Sequence, residues 1–209
     1  MASHMEQRIR TTTAPLAERM RPATLEEFVG QEQLIGPDTF LRRAIAEDRV
    51  PSMVLWGPPG SGKTTLARII AHTTHAEFVQ LSATGSGLKE LREVIARAES
   101  LQRLGGKTVL FIDEIHRWNK LQQDSLLPAV EAGTVTLIGA TTENPSFEVN
   151  AALISRARVF VLERLDAEAI AALLHRALTD AARGFGGQSL DIPDDVITFI
   201  AHMANGDAR

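Results

Sequence analysis

The stretch GPPGSGKT, Gly57 to Thr64, gathers the residue types that a bound phosphate needs. Gly57, Gly60 and Gly62 let backbone N–H groups wrap an anion, with Pro58, Pro59 and Ser61 filling the turn between them. Lys63 carries an ammonium able to reach β- and γ-phosphates, Thr64 a hydroxyl able to ligate Mg²⁺, and Thr65 follows directly. The apolar run SMVLWG precedes this loop and KTTLARIIAHTT follows it. The loop therefore joins a strand to a helix whose N-terminal dipole favours negative charge.

A second group of candidates sits at the end of VLFIDEIH, roughly 50 residues further on. Asp113 and Glu114 close an apolar strand, and ligands of open parallel sheets bind at the carboxyl ends of strands. Asp113 suits a water-mediated contact to Mg²⁺, and Glu114 the orientation and deprotonation of an attacking water. LIGATTENPSF ends another apolar strand in polar residues. Thr141, Thr142 and Asn144 are candidates to hydrogen-bond a γ-phosphate or that water; the plainer alternative is a capped turn before Pro145. In AALISRARVFVLERL, Arg156 and Arg158 stand directly before the run VFVL. Arginine resists burial, so both require wet or anionic surroundings. Pairing of Arg156 with a surface acid, and plain solvation of Arg158, are the competing readings.

The elements that must position these groups alternate along the chain. RTTTAPLAERMRPATLEEFVGQEQLIG reads as an extended arm, a short helix from Thr24 and a turn at Gly30. DTFLRRAIAED is a capped helix. After the phosphate loop, Leu66, Ile69 and Ile70 share one helical face; EFVQLSA is a strand; and Leu88, Leu91, Ile95 and Ala98 mark an amphipathic helix. KTVLFIDEI is a strand, NKLQQDSLLPAVEAG a helix bent near Pro128, TVTLIGATT a strand, VNAALIS a short helix and RVFVLERL the last strand. From Asp166 onward only helical patterns occur. Apolar strands alternating with helices predict an α/β fold, a parallel sheet covered on both faces, with a helical appendage.

Composition excludes several classes. The 209 residues are 44% hydrophobic and 23% charged, as in an ordinary globular chain. There is no cysteine, hence no disulfide framework and no cysteine zinc site, and the six histidines lack metal-ligand spacing. No apolar run approaches the ~18 residues of a membrane span, which predicts a cytoplasmic protein with no membrane contact. The net charge of −4 argues against a surface that coats nucleic acid throughout, though not against a local basic patch. On the helix after Gly87, Lys89, Arg92 and Arg103 share one side; they suit DNA phosphates without sequence preference, or form a solvated charged face with Glu90 and Glu93. The opening MASHM reads as a cloning remnant.

GPPGSGKT, FIDEIHRWNK, GATTENPSF and SRARVF, in this order, resemble an AAA+ ATPase of the clamp-loader clade. PLAERMRPATLEEFVGQEQLIG and GATTENPSFEVNAALISRARVF resemble more closely the replication-associated recombination protein A family. That family is also called maintenance of genome stability protein A, and its eukaryotic relative is the Werner-helicase-interacting ATPase. The resemblance runs from about Pro15 to Arg209. It implies a P-loop core (Walker A and Walker B) with a five-stranded parallel sheet between helices, followed by a truncated all-α lid. The implied divisions are 1–5 remnant, 6–165 core with an adenine-binding arm, and 166–209 partial lid, the rest of the lid and an oligomerisation domain being absent.

By the same resemblance Met20, Arg21, Pro22, Val29 and Gly30 line the adenine pocket. The polar residue called sensor 1 falls on Thr142 when aligned from GAT and on Asn144 when counted back from the arginine. Arg156 is a finger inserted into a neighbouring subunit's site, which makes the anion awaited there another chain's γ-phosphate. Arg209, in NGDAR, corresponds to the sensor-2 arginine of the lid. The implied cofactors are ATP/ADP and Mg²⁺. The implied activity is ATP hydrolysis by a DNA-dependent mechanoenzyme at stalled forks or DNA ends, in replication, recombination and repair. The implied partners are DNA, single-strand-binding protein and replisome components, in the cytoplasm with the nucleoid. The parent would be a tetramer or hexamer, and this piece a monomer. The alternatives are a clamp-loader subunit, a Holliday-junction branch-migration motor or a nucleotide-switched binding module with little turnover. The absence of a long β-hairpin insertion weighs against the branch-migration motor, and the paired acids followed by an arginine weigh against a metabolic kinase.

Overall fold

The computed structural model describes residues 14–209; the opening MASHM lies outside them. Five strands form one parallel sheet: β1 (Met53–Trp56), β2 (Glu77–Ser82), β3 (Thr108–Asp113), β4 (Thr136–Thr141) and β5 (Arg158–Val161), in the order β2-β3-β4-β1-β5. Burial explains the order. β1, β3 and β4 are the continuously apolar strands and take the centre, while β2 and β5, with exposed positions, take the edges. Adjacent residues point to opposite faces, so Phe111 and Ile138 enter one core and Leu110 and Leu137 the other.

The first core is closed by α3 (Phe40–Ala46) and α4 (Lys63–Thr73), through Leu41, Ile45, Leu66 and Ile70. The second is closed by α5 (Leu88–Arg103), through Leu91 and Ala98. Beyond the sheet, α10 (Ala167–Thr179), capped by the Asp166 carboxylate on the Ala169 N–H at 2.7 Å, packs on α11 (Asp194–Met203) around Ile170 and Ala201.

Three local expectations fail for identifiable reasons. The arm begins with a helix, α1 (Leu16–Arg19), and the stretch from Thr24 is a turn. The Thr24 hydroxyl accepts from the Glu27 N–H and the Glu27 carboxylate from the Ala23 N–H, which caps a single turn that stops at Gly30, φ +74°. A further short helix, α2 (Glu32–Ile35), follows it. The helix expected to bend near Pro128 is two helices, α6 (Lys120–Asp124) and α7 (Leu127–Glu131). Proline lacks an N–H and sits in the first turn of α7, where none is needed. The same logic starts α8 (Pro145–Glu148) at Pro145, just before α9 (Ala151–Ile154).

One side chain fastens the arm to the segment that leaves the sheet. Gln31, buried and left-handed at φ 65°, donates to the Glu163 carbonyl at 2.8 Å and accepts from the Glu163 N–H at 2.9 Å. Gln31→Ala strands both backbone groups. We expect it to lower unfolding stability by about 2 kcal/mol, measured by urea denaturation; no change would show that water replaces the amide without cost.

Candidate active site

The carboxyl ends of the central strands open into a cavity of about 730 Å³, bounded by the phosphate loop, the arm and the α10–α11 pair. β4 stands between β3, which ends at Asp113, and β1, which runs into the loop. The loop needs its glycines. Gly60 and Gly62 are left-handed at φ +73° and +98°, and a Cβ on Gly57 would lie 2.3 Å from the Leu162 carbonyl oxygen. The Ser61 hydroxyl donates to the Pro58 carbonyl at 2.9 Å. Lys63 begins α4, and its Nζ donates to the Gly57 and Pro58 carbonyls, each at 2.7 Å. Burial depresses the Lys63 pKa, partly offset by the Asp113 carboxylate.

Of the residues read from sequence, Pro59, Gly60, Ser61, Gly62, Lys63, Thr64 and Thr65 line the cavity, as do Asp113, Glu114, Thr142 and Arg209. Gly57 and Pro58 stand behind it as the acceptors of Lys63. Met20, Arg21, Pro22 and Val29 line the arm side. Gly30 does not; it lies against Leu165, where a Cβ would come within 2.7 Å of the leucine Cδ2. Arg21 donates to the Thr65 hydroxyl at 3.0 Å and to the Glu18 carboxylate, whose pKa it holds below the usual range.

Asp113 accepts the Glu114 N–H at 3.1 Å. Glu114 is left-handed at φ 52°, and its carboxylate accepts from Arg117 Nε at 2.7 Å. The two sensor candidates separate: Thr142 lines the cavity, whereas the Asn144 side chain caps α8 by accepting the Ser146 N–H at 3.0 Å. Thr141 is buried, its hydroxyl 2.9 Å from His116 Nδ1 and accepting the Glu143 N–H at 3.0 Å. Arg209 pairs with Asp207 at 2.7 Å, and the arginine holds the Asp207 pKa down.

Arg156 lies outside its own chain's cavity, at the end of α9, paired with Glu131. Arg158 stacks its guanidinium over the Phe40 ring, 3.8 Å from the centroid. Lys89, Arg92 and Arg103 are exposed on α5, away from the cavity.

Sequence reasoning named Met20, Pro22 and Val29 on the apolar side of the site and missed the rest of that side. Phe28, Leu165, Ile170, Leu173 and Ile200 line it, and their helical or turn spacing is that of ordinary core residues. Asp207 was missed too; a Cβ on Gly60 would lie 2.1 Å from its Oδ1. The donor set suits Mg²⁺. Thr64 and Asp113 face one cavity, and among the described residues no group of three or more His, Cys, Asp or Glu could cage a metal alone. A small hard cation that keeps its waters and takes substrate phosphate needs only such a partial set.

Comparison with known proteins gives the chain its relatives. The family model of the Holliday junction DNA helicase RuvB P-loop domain matches residues 20–156. The chain is 52% identical over 198 residues to replication-associated recombination protein A of Escherichia coli strain K12, covering 95% of this chain and 44% of that protein. It is 50% identical over 196 residues to the ATPase WRNIP1 of Dictyostelium discoideum, covering 94% of this chain and 22% of that protein. Its fold is similar to the Thermotoga maritima RuvB Holliday junction branch migration motor, with a TM-score of 0.74 and 30% identity over 91% of this chain and 62% of that one. The chain thus spans less than half the length of these curated relatives.

The cavity's arm wall is clamped from below. Arg183 donates to both Glu27 carboxylate oxygens, at 3.0 and 3.2 Å, and Arg176 to the Glu27 carbonyl at 2.7 Å. The Arg183 hydrogen bond lowers the Glu27 pKa below its ordinary 4.5, so the folded state binds that proton less tightly than the unfolded chain. The clamp's contribution is present above pH 4.5 and lost as pH falls through the folded value. Arg183→Met, which also releases the Asp180 carboxylate that Arg183 pairs at 2.9 Å, should therefore flatten the acid limb of the stability–pH curve, read by thermal unfolding from pH 6 downward (roughly one to two carboxylates' worth of slope). An unchanged limb would contradict the clamp.

Proposed function

Because the chain belongs to the family of the Holliday junction DNA helicase RuvB P-loop domain, within the AAA+ ATPases, we propose that it binds ATP in this cavity and hydrolyses it to ADP and phosphate. The observation that carries the reading is the convergence of Lys63, Thr64, Asp113, Glu114 and Thr142 on one cavity. The apolar half, with Met20, Phe28 and Val29 on the arm side, receives the adenine, and the left-handed loop receives the phosphates. Lys63 gives up two loop carbonyls for phosphate oxygens, which relieves its buried charge. Thr64 and, through water, Asp113 would hold Mg²⁺, which would neutralise charge on the phosphates. Glu114 leaves Arg117 to orient and deprotonate the attacking water. Thr142, rather than Asn144, holds that water or the γ-phosphate, since Asn144 is spent on capping α8. Arg209 closes on the same nucleotide from residues 166–209, the helical lid of a core that ends at residue 165.

Arg156 is not among the residues that line its own chain's cavity and is paired with Glu131; in this reading it acts on a neighbour's γ-phosphate. Turnover therefore requires self-association, into a ring or partial ring in the parent protein. The energy is spent on DNA at stalled forks, junctions or ends, in company with single-strand-binding protein and replisome components, in the cytoplasm at the nucleoid. Lys89 and Arg92 on α5 suit phosphate contacts to that DNA. The location of Arg156 also favours a second reading: a chain that meets no neighbour is a nucleotide-switched binding module with little turnover.

Turnover per chain should rise with chain concentration, and rise further with forked DNA. Glu114→Gln should keep ATP affinity and lower turnover by about 10² to 10⁴. Turnover independent of concentration would remove the neighbour from the reaction, and full turnover in Glu114→Gln would remove the base.

A further inference from the structure

The finger Arg156 is not free in solution; its own chain grips it on one side. Its Nε donates to the Glu131 carboxylate at the end of α7. Its Nη1 donates to the Ala152 carbonyl and to the Ser155 hydroxyl, each at 2.9 Å, and that hydroxyl donates in turn to the Ala152 carbonyl at 2.9 Å. Nη2 makes no hydrogen bond to any described residue. The guanidinium is thus fixed at its Nε and Nη1 positions, while Nη2 keeps two N–H donors for another acceptor.

A carboxylate that merely sequestered the finger would take it bidentately, through two parallel N–H···O bonds, the strongest geometry available to the pair. Glu131 instead takes Nε alone. A long side chain with high rotamer entropy gains most when it is fixed before its target arrives, since misplacement by about 1 Å can cost 10² in rate. Glu131 stands on the last turn of α7, whose backbone is anchored by Ala129 in the second core. Ser155 is the C-cap of α9 and adjacent to the finger. We propose that Glu131 and Ser155 are positioning residues for a trans-acting Arg156, holding its guanidinium ready for the phosphate of a second copy of this chain. The inference rests on the reading of Arg156 as a finger in trans.

A mixing experiment separates the two. A donor chain carrying Lys63→Ala keeps Arg156 but cannot process nucleotide; an acceptor carrying Arg156→Ala keeps its site but offers no finger. If Arg156 acts in trans, the mixture hydrolyses ATP faster than the sum of its parts. Glu131→Gln placed on the donor should then lower the mixture's kcat by about tenfold or more, with KM for ATP on the acceptor unchanged. Ser155→Ala on the donor should lower it in the same direction, and Glu131→Asp should lower it less than Glu131→Gln. Full activity with the Glu131→Gln donor would overturn the positioning role while leaving the finger intact. An equal loss when Glu131→Gln is moved to the acceptor would mark a packing role and overturn it too. A mixture no faster than its parts would overturn the trans finger itself, and this inference with it.

Discussion

Everything at the site depends on where the Lys63 ammonium is held. Its two loop carbonyls, at 2.7 Å each, hold the phosphate loop around a cation. Burial opposes that charge, and the Asp113 carboxylate only partly offsets it. A phosphate held by this loop meets a partly desolvated ammonium whose charge it can neutralise. The loop's shape needs left-handed Gly60 and Gly62, and a Gly57 that passes the Leu162 carbonyl closely. These demands in turn place β1 centrally, paired with β4 and β5 in register from Met53 to Trp56.

The sheet order supplies the second half of the arrangement. With β4 between β1 and β3, polar residues at the ends of three strands face the same space, and Thr141, braced by His116, ties the β4 end to the turn after Glu114. The arm and the helical segment then close the apolar side. Side chains link them: Arg183 to the Glu27 carboxylate and Arg176 to the Glu27 carbonyl, while Gln31 ties the arm to Glu163 at the exit from the sheet.

The strongly patterned parts of the molecule were legible from sequence. Every strand and the long helices follow from apolar periodicity, and the phosphate loop and the Asp113–Glu114 pair follow from residue type at fixed spacing. The arm was not legible, because Pro15, Pro22 and the self-capped Thr24–Glu27 turn break any period. The choice between Thr142 and Asn144 was open because both are polar residues after a strand; only the cap on Ser146 separates them. Phe28, Leu165 and Leu173 were invisible as site residues because an apolar residue facing a cavity has the same sequence signature as one facing a core. Glu131 stayed hidden for a different reason: 25 residues separate it from Arg156, and nothing local announces the pair.

The central claim is that this cavity is a nucleotide site organised around Lys63, and titration calorimetry with ATP and Mg²⁺ tests it most directly. The account predicts one molecule bound per chain, with binding abolished in Lys63→Ala while its fold, followed by circular dichroism, is kept. Absence of binding by the unaltered chain, or equal binding by Lys63→Ala, would contradict it.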